Sequence, residues 1–215
     1  MVLAAGAGRR MGSPKALVHD PDGVTWVVRA SRLLDAAGCS PVLVVVGAAA
    51  DQVRAELTGE PVEVVEATDW AEGMGASLRA GLTTLRTIAG AGAEAGAAAG
   101  AGIDAGTDAG TADVGTDAVL VVPVDVPGLT AAVVRRVAAA GSRSVLVRAL
   151  YGGQPGHPVL LGREHWDGVI ATARGDEGAR AYLKRHGVVE IECSDLADGA
   201  DVDTVGQLPE GHRPG

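Results

Sequence analysis

The 215-residue chain predicts a single three-layer α/β/α domain with a mostly parallel sheet. Apolar strand-like runs alternate with helical patterns along the chain, as expected where helices connect parallel strands. Two of the runs, Val42–Val46 and Ala118–Val122, are continuously apolar, which is typical of strands that helices cover on both faces. In such sheets ligands collect at the carboxyl ends of the strands, so we look for function there.

The elements follow in order from a short apolar start, Met1 to Leu3, that forms the first strand. The other predicted strands are Val42–Val46, Val62–Val65, Ala118–Val122, Ser144–Ala149, Val159–Leu161 and Val188–Ile191. The predicted helices are Thr25–Ala37, Asp51–Leu57, Ala76–Ile88, Thr130–Ala140 and Asp176–Arg185. Gly38 ends the first helix, and Asp51 and Thr130 stand at N-cap positions, where a side-chain oxygen can accept a backbone N–H.

Residues 89–117 interrupt this alternation with alanine, glycine and aspartate. The segment carries five carboxylates and no Lys or Arg, and Ile103 is its one large aliphatic residue before Val114. Such a composition buries too little apolar surface to offset its ordering entropy. We therefore predict a low-complexity, disordered insertion in a domain that otherwise spans residues 1–215. The alternative is a loosely formed Ala-rich helix, which the frequent glycines disfavour.

Composition excludes several classes of protein. The formal net charge is −9, and no basic stripe or basic–aromatic alternation is present, so we expect no nucleic-acid partner. No apolar run approaches the roughly 20 residues of a membrane span, and no N-terminal signal is visible, which predicts a soluble cytoplasmic protein. Cys39 and Cys193 lack metal-ligand spacing, so we interpret them as free buried thiols.

The first strand leads into a loop that combines glycines at positions 6, 8 and 12 with Arg9, Arg10 and Lys15. Glycines let backbone N–H groups approach an anion, and the cations add full charge, so the loop predicts a phosphate site. A Rossmann fingerprint would need glycine at Met11. A P-loop would need a hydroxyl residue at Ala16 directly after its lysine. A chance glycine turn in an Ala/Gly-rich chain is the alternative.

Residues 3–15 read L-A-A-G-x-x-x-R-M-G-x-x-K and closely resemble the signature of the MobA-like nucleotidyltransferases, above all the MocA-type branch of molybdenum cofactor cytidylyltransferases. The resemblance implies a Rossmann-like, glycosyltransferase-A-like fold, with Arg10 and Lys15 as catalytic residues that hold phosphates. It places the nucleotide against Leu3, Ala4, Ala5, Gly6, Gly8 and Gly12. Relatives usually carry a few more residues before this signature, so we expect additional residues upstream of Met1.

Two acidic motifs predict a metal site. Asp125 emerges from a buried strand between Pro123 and Pro127, which stiffen its position, and Mg²⁺ needs a carboxylate on a rigid element. Asp203 belongs to the element D-V-D-T at 201–204. By the resemblance, these are the D-x-P and second-ligand motifs, so Asp125 and Asp203 would bind Mg²⁺, and Asp125 would be catalytic. The alternatives are an ordinary turn at Asp125 and a solvated acidic turn at Asp203.

Three further segments fit the family pattern. Residues 70–78 match W-x-x-G-M-x-x-S-L, which places Gly75 and Ser77 beside the nucleotide at a helix N-terminus. The segments G-H-P at 156–158 and G-D-E-G-A-R at 175–180 are characteristic of the MocA-like branch and imply acceptor-binding roles for His157 and Arg180. The alternatives are a histidine satisfied within the fold and an arginine that caps a loop.

The resemblance implies transfer of CMP from CTP to molybdopterin, with release of pyrophosphate and a molybdoenzyme or its chaperone as downstream partner. Three alternatives remain open. A related transferase could use another phosphorylated acceptor. An NAD(P)-dependent oxidoreductase would use Asp35 as the ribose-binding acid, although Asp35 falls inside a helix pattern. A non-catalytic accessory protein could hold molybdopterin, although Lys15 and Asp125 argue for catalysis.

Overall fold

The computed structural model describes residues 1–99 and 116–215. Within them, one seven-stranded sheet carries helices on both faces, which confirms the predicted α/β fold. The strands are β1 (Val2–Ala4), β2 (Leu43–Val46), β3 (Glu63–Glu66), β4 (Ala118–Pro123), β5 (Leu146–Tyr151), β6 (Gln154–Gly162) and β7 (Val189–Glu192). The α-helices are α1 (Trp26–Ala36), α2 (Ala50–Glu56), α3 (Met74–Ala99), α4 (Ala131–Ala138), α5 (Trp166–Thr172) and α6 (Arg180–His186).

The strand order across the sheet is β3-β2-β1-β4-β6-β5-β7. All neighbouring pairs are parallel except those of β6, which runs antiparallel to β4 and β5. The carboxyl ends of β1 and β4 therefore meet at one edge. Because Val121 on β4 pairs with Val159 on β6, the reversed strand brings His157 to that same edge.

The core fills both faces of the sheet, as the continuous apolar runs predicted. Val44 and Val122 point to the face packed by α1, α2 and α4, whereas Val45 and Val121 point to the face packed by α3, α5 and α6. Alternate residues of a strand face opposite sides, so one apolar run supplies both layers. No helix among residues 1–99 and 116–215 is long and apolar enough to cross a membrane.

The helix boundaries differ from the predictions at three points. Thr130 caps α4 as predicted, because its hydroxyl accepts from the Val133 N–H at 3.4 Å, but Asp51 is not an N-cap: α2 begins one residue earlier, at Ala50. The predicted helix Asp176–Arg185 is split, since Gly178 adopts φ +54°, and α6 begins only at Arg180. Helix α5 was not predicted from the sequence.

Helix α3 continues beyond its predicted end and covers residues 89–99 of the proposed insertion. Ala89 is 3% exposed and packs in the core, so the start of the segment belongs to the domain. Residues 89–99 therefore follow the alternative interpretation of the segment, an Ala-rich helix, because the high helix propensity of alanine outweighs the cost of the glycines. At the other end, the Asp117 carboxylate accepts from Arg143 at 3.1 Å. Residues 100–115, the rest of the predicted disordered segment, lie outside the described residues.

We expect that replacing residues 100–115 with a short Gly-Ser linker preserves the fold, because Ile103 and Val114 are their only large aliphatic residues. A shorter connection lowers the entropic cost of bringing its two ends together only slightly, so the melting temperature should rise by no more than about 2 °C. Thermal unfolding checks this. A longer deletion that also removes Ala89 is the control and should destabilise the domain. A linker variant that unfolds would contradict the prediction.

Candidate active site

The loop after β1 folds back on itself around Gly8. The Gly8 carbonyl accepts from the N–H groups of Met11 at 2.9 Å and Gly12 at 2.8 Å. Gly8 adopts φ +62°, and a Cβ there would lie 1.8 Å from the Ser13 carbonyl oxygen. Only glycine fits this turn, for two reasons. A residue with a side chain would pay the free-energy cost of a left-handed conformation, and its Cβ would clash with the Ser13 backbone.

Among the described residues, several consecutive backbone N–H groups of this loop lack a backbone acceptor. Within residues 1–99 and 116–215, no backbone carbonyl accepts a hydrogen bond from the N–H groups of residues 6–10. A Cβ on Gly6 would meet nothing within 4 Å, so the space beside it is open. Successive unpaired N–H groups in a tight turn form an anion-binding concavity. The loop therefore has the geometry of the predicted phosphate site.

The loop cations contact the two predicted metal-binding carboxylates. The Lys15 ammonium donates to Asp125 Oδ2 at 2.8 Å and to Asp203 Oδ1 at 2.6 Å. Arg10 lies on the outer side of the cluster and forms a bidentate pair with Asp203, at 2.8 and 3.0 Å. The structure thus brings together all four residues that the sequence assigned to catalysis and metal binding.

The end of β4 and the turn around residues 202–207 position this cluster. Asp125 follows the end of β4 by two residues, and its carbonyl accepts from the Val202 N–H at 2.9 Å, which ties the Asp203 segment to it. The Gln207 side-chain oxygen accepts from the N–H groups of Asp203 at 3.1 Å and Thr204 at 3.0 Å. This capping box fixes the turn that carries Asp203.

The cluster is partly buried, and the lower local dielectric strengthens the attraction between Lys15 and the two carboxylates. Burial lowers the pKa of Lys15, but hydrogen bonds to Asp125 and Asp203 outweigh that effect, and the net pKa is raised. The hydrogen bond from Lys15 lowers the pKa of Asp203 below its usual value. Both groups are therefore charged at neutral pH. Arg10 is 71% exposed, so its pair with Asp203 is screened by solvent and easily exchanged for another anion.

A cavity of about 420 Å³ opens over the loop. Of the predicted nucleotide-site residues it is lined by Leu3, Ala5, Gly6, Gly8, Arg10, Lys15, Ser77 and Asp125. Ala4 is instead buried in β1, and Gly12 closes the turn. Gly75 packs against the backbone of Arg174, where a Cβ would lie 2.7 Å from the Arg174 nitrogen. These three residues shape the site without lining the cavity.

A second cavity, of about 380 Å³, lies between the sheet and helices α3 and α6. His157 and Arg180, the two residues assigned to the acceptor, both line it, together with Asp201 of the D-V-D-T element and Arg148, which the sequence analysis did not single out. A charged residue inside the apolar run of β5 was the available signal for Arg148. Asp125 lines both cavities, so the two spaces meet at the predicted metal-binding carboxylate.

His157 is held rigidly at the second cavity. Its carbonyl accepts from the Tyr151 hydroxyl at 2.7 Å, and the preceding Gly156 lies so close that a Cβ would be 2.7 Å from the Tyr151 ring. The ring Nδ1 is buried and has no partner among residues 1–99 and 116–215. Burial lowers the pKa of His157, against the opposing charge of Asp125, so the imidazole is neutral at neutral pH.

The donor set fits a divalent cation shared with a substrate. Among the described residues, no group of three or more His, Cys, Asp or Glu side chains could hold a metal ion by itself. Mg²⁺ commonly binds through one or two carboxylates plus substrate phosphates, which is what Asp125 and Asp203 offer beside the loop. The Lys15 ammonium already bridges these carboxylates, so the site accommodates positive charge between them.

The site thus combines a glycine-rich loop, a cation–carboxylate cluster and two cavities that share Asp125 and Asp176, within an α/β fold. The chain belongs to the MobA-like NTP transferase domain family, whose family model matches residues 1–190. Nucleotidyl transfer from nucleoside triphosphates is the chemistry of this family, so membership supports a nucleotidyltransferase activity.

The proteins to which this chain is similar carry different names. The chain is 33% identical to nicotine blue oxidoreductase of Paenarthrobacter nicotinovorans over 218 residues, covering 97% of this chain and 93% of that protein. The crystal structure of Rv0371c from Mycobacterium tuberculosis is 26% identical, with a TM-score of 0.69 and coverage of 96% and 92%. A structure of Rv0371c in complex with manganese is also known, at 25% identity, TM-score 0.66 and the same coverage. A nucleotidyl transferase from Methanothermobacter thermautotroptrophicus shares the fold, at 21% identity, TM-score 0.71 and coverage of 96% and 91%.

Proposed function

We propose that the protein transfers CMP from CTP to molybdopterin and releases pyrophosphate, with Mg²⁺ as the cation. The observation that carries this proposal is the position of Asp125, which lines both the cavity over the phosphate loop and the second cavity. A transferase needs its two substrates to meet at the reacting phosphorus. Two cavities that join at a carboxylate provide that arrangement.

In the proposed reaction the loop N–H groups and the side chains of Lys15 and Arg10 bind the triphosphate. Both cations contact carboxylates in the free protein, so the triphosphate competes with Asp125 and Asp203 for them. Mg²⁺ held by these two carboxylates would screen phosphate charge when it is bound. Lys15 and Arg10 then stabilise the negative charge that develops on the departing pyrophosphate.

The bond changes require no strong general base. An oxygen of the acceptor phosphate forms a bond to the α-phosphorus of CTP, while the bond from that phosphorus to the bridging oxygen breaks and its electron pair leaves with pyrophosphate. A phosphate monoester is already anionic, so positioning and electrostatic stabilisation suffice. His157 lines the second cavity, where it can contact the acceptor.

We expect CTP to be preferred over GTP and ATP. Guanylyl-transferring relatives carry L-A-G-G and a G-G-x-D-K ending in the signature loop, whereas this chain has Ala5 and Ser13-Pro14-Lys15. The test is pyrophosphate release with each nucleoside triphosphate, with and without molybdenum-loaded molybdopterin. Release that requires both CTP and molybdopterin supports the proposal. Equal or faster turnover with GTP would overturn the base assignment, and release with a different phosphorylated acceptor would overturn the acceptor assignment.

The name of the relative from Paenarthrobacter nicotinovorans favours a second candidate, an oxidoreductase, which the sequence analysis considered in an NAD(P)-dependent form. The ribose-binding acid that this reading assigned, Asp35, is exposed on α1 and lines neither cavity. Strand β2 ends at Val46 and is followed by Gly47, so no acid follows it directly. Oxidation of NADH or NADPH with a dye acceptor tests this candidate. Binding of molybdopterin without turnover of either kind would instead identify a carrier.

A further inference from the structure

Arg148 is a charged residue between apolar neighbours on β5, Val147 and Ala149. On β5 it pairs with Val159 of β6 on one side and with Glu190 of β7 on the other. Cross-strand partners share a face, so Arg148 lies on the same face as Val159, which lines the second cavity with it. Its side chain is 23% exposed.

The hydrogen bonds of Arg148 are incomplete. Its Nη2 donates to the Glu190 carboxylate, which holds the guanidinium in place. Its Nε is buried and has no hydrogen-bond partner among residues 1–99 and 116–215. A guanidinium can only donate hydrogen bonds, and a buried donor without an acceptor is unfavourable. A group that brings an acceptor atom to Arg148 would remove this cost.

A second residue of the same cavity also has an unpartnered atom. His157 Nδ1 is buried and has no hydrogen-bond partner in the part of the chain that the structure describes, and His157 lies two residues before Val159, on the same face of β6. Leu78, Val121 and Leu183 add apolar surface to this cavity, and the acidic side chains of Asp176, Glu177 and Asp201 also line it. Apolar surface combined with a few unpaired polar atoms is common in small-molecule sites that fix the orientation of their ligand.

We propose that Arg148 is a specificity-determining residue for the acceptor, donating a hydrogen bond to a carbonyl oxygen or ring nitrogen on the acceptor's body while the acceptor phosphate lies at Asp125. The inference rests on the proposed function, because it takes the second cavity as the acceptor site. Glu190 orients the guanidinium through its ion pair. His157 contributes a second polar contact to the same molecule.

The apolar side chains of the cavity favour a flat heterocycle over a sugar beside Arg148. A sugar carries hydroxyl groups on all sides, and any hydroxyl that faces Leu78, Val121 or Leu183 would be left without a partner. A heterocycle presents apolar faces to this wall and polar atoms only at its edge. The cavity volume of about 380 Å³ lies in the range of small-molecule sites.

The test compares two phosphate monoesters, neopterin monophosphate and ribose 5-phosphate, in which the phosphate is attached to a pterin derivative and to a sugar. Binding of the pterin is followed by its fluorescence, and ribose 5-phosphate is measured by competition against it. The variants are Arg148→Met, which removes the donors, and Arg148→Lys, which keeps the charge but loses Nε. Arg135→Met is the matched control, since Arg135 is exposed on α4 on the opposite face of the sheet.

We expect the wild-type protein and Arg135→Met to bind neopterin monophosphate at least tenfold more tightly than ribose 5-phosphate. Arg148→Met and Arg148→Lys should lose that preference, while their affinity for CTP stays within twofold. An unchanged preference in a folded Arg148 variant overturns the inference, and so does a wild-type protein that binds neither probe or prefers the sugar. If Arg148→Met fails to fold, Arg148→Lys decides. Pterin binding that depends on Arg148, without pyrophosphate release from CTP, would support this inference and overturn the proposed function.

Discussion

Asp125→Asn is expected to reduce pyrophosphate release from CTP by about a thousandfold, equivalent to about 4 kcal/mol of transition-state stabilisation. Asp125 and Asp176 both line the two cavities, and of this pair Asp125 is the carboxylate that contacts Lys15, at 2.8 Å. An amide keeps the shape of the side chain but cannot anchor a divalent cation. Rates measured over a range of Mg²⁺ concentrations test this.

The fold should survive the substitution, because Lys15 keeps its contact with Asp203 and a partly exposed ion pair contributes only about 0–1 kcal/mol. Asp203→Asn should lower the rate in the same way but less, since Asp203 lines neither cavity. Asp51→Asn is the matched control, because Asp51 is fully exposed on α2. Wild-type rates for both site variants at saturating Mg²⁺ would show that the metal assignment is wrong.

Gly8→Ala is expected to weaken CTP binding by about a hundredfold, as misplacement of a binding group by an ångström commonly does. The new Cβ would lie 1.8 Å from the Ser13 carbonyl oxygen, which belongs to the backbone and cannot rotate away. The loop must therefore open, and its N–H groups leave the positions that face the cavity. Calorimetric titration with CTP measures the loss directly.

Gly12→Ala separates the clash from the conformational cost. Gly12 also adopts a left-handed conformation, with φ +83°, but a Cβ there would meet nothing within 4 Å. This variant carries only the left-handed penalty of about 1–2 kcal/mol. It should lower the melting temperature while CTP binding stays near the wild-type value. Equal CTP affinity in the two variants would contradict a binding role for the turn at Gly8.

Local patterns in the sequence predicted the strands and helices because they depend on residues close together in the chain. The apolar run Val42–Val46 predicted a strand buried on both faces, and the structure buries all five residues. Thr130 predicted a helix start through its own hydroxyl. Asp51 did not mark a helix start, because α2 begins one residue earlier, at Ala50, and the two possible starts differ little in free energy.

Side-chain roles were predicted where a motif places charge at the end of a strand. Lys15 and Asp125 were assigned in this way, and the structure joins them although 110 residues separate them. The sequence could not identify Arg148, because its neighbours Val159 and Glu190 come from other strands. Only the pairing of those strands makes it part of a cavity.

The sequence by itself therefore determined the order of the strands, the double-sided core and the glycine-rich loop after β1, all of which follow from periodicity and backbone preference within short segments. The tertiary structure alone decided the reversal of β6, the contact between Lys15 and Asp203 across 188 residues, and the junction of the two cavities at Asp125. These features depend on which strands become neighbours. The order of the strands depends on the packing free energy summed over the whole sheet, and this sum cannot be read from any short segment of the chain.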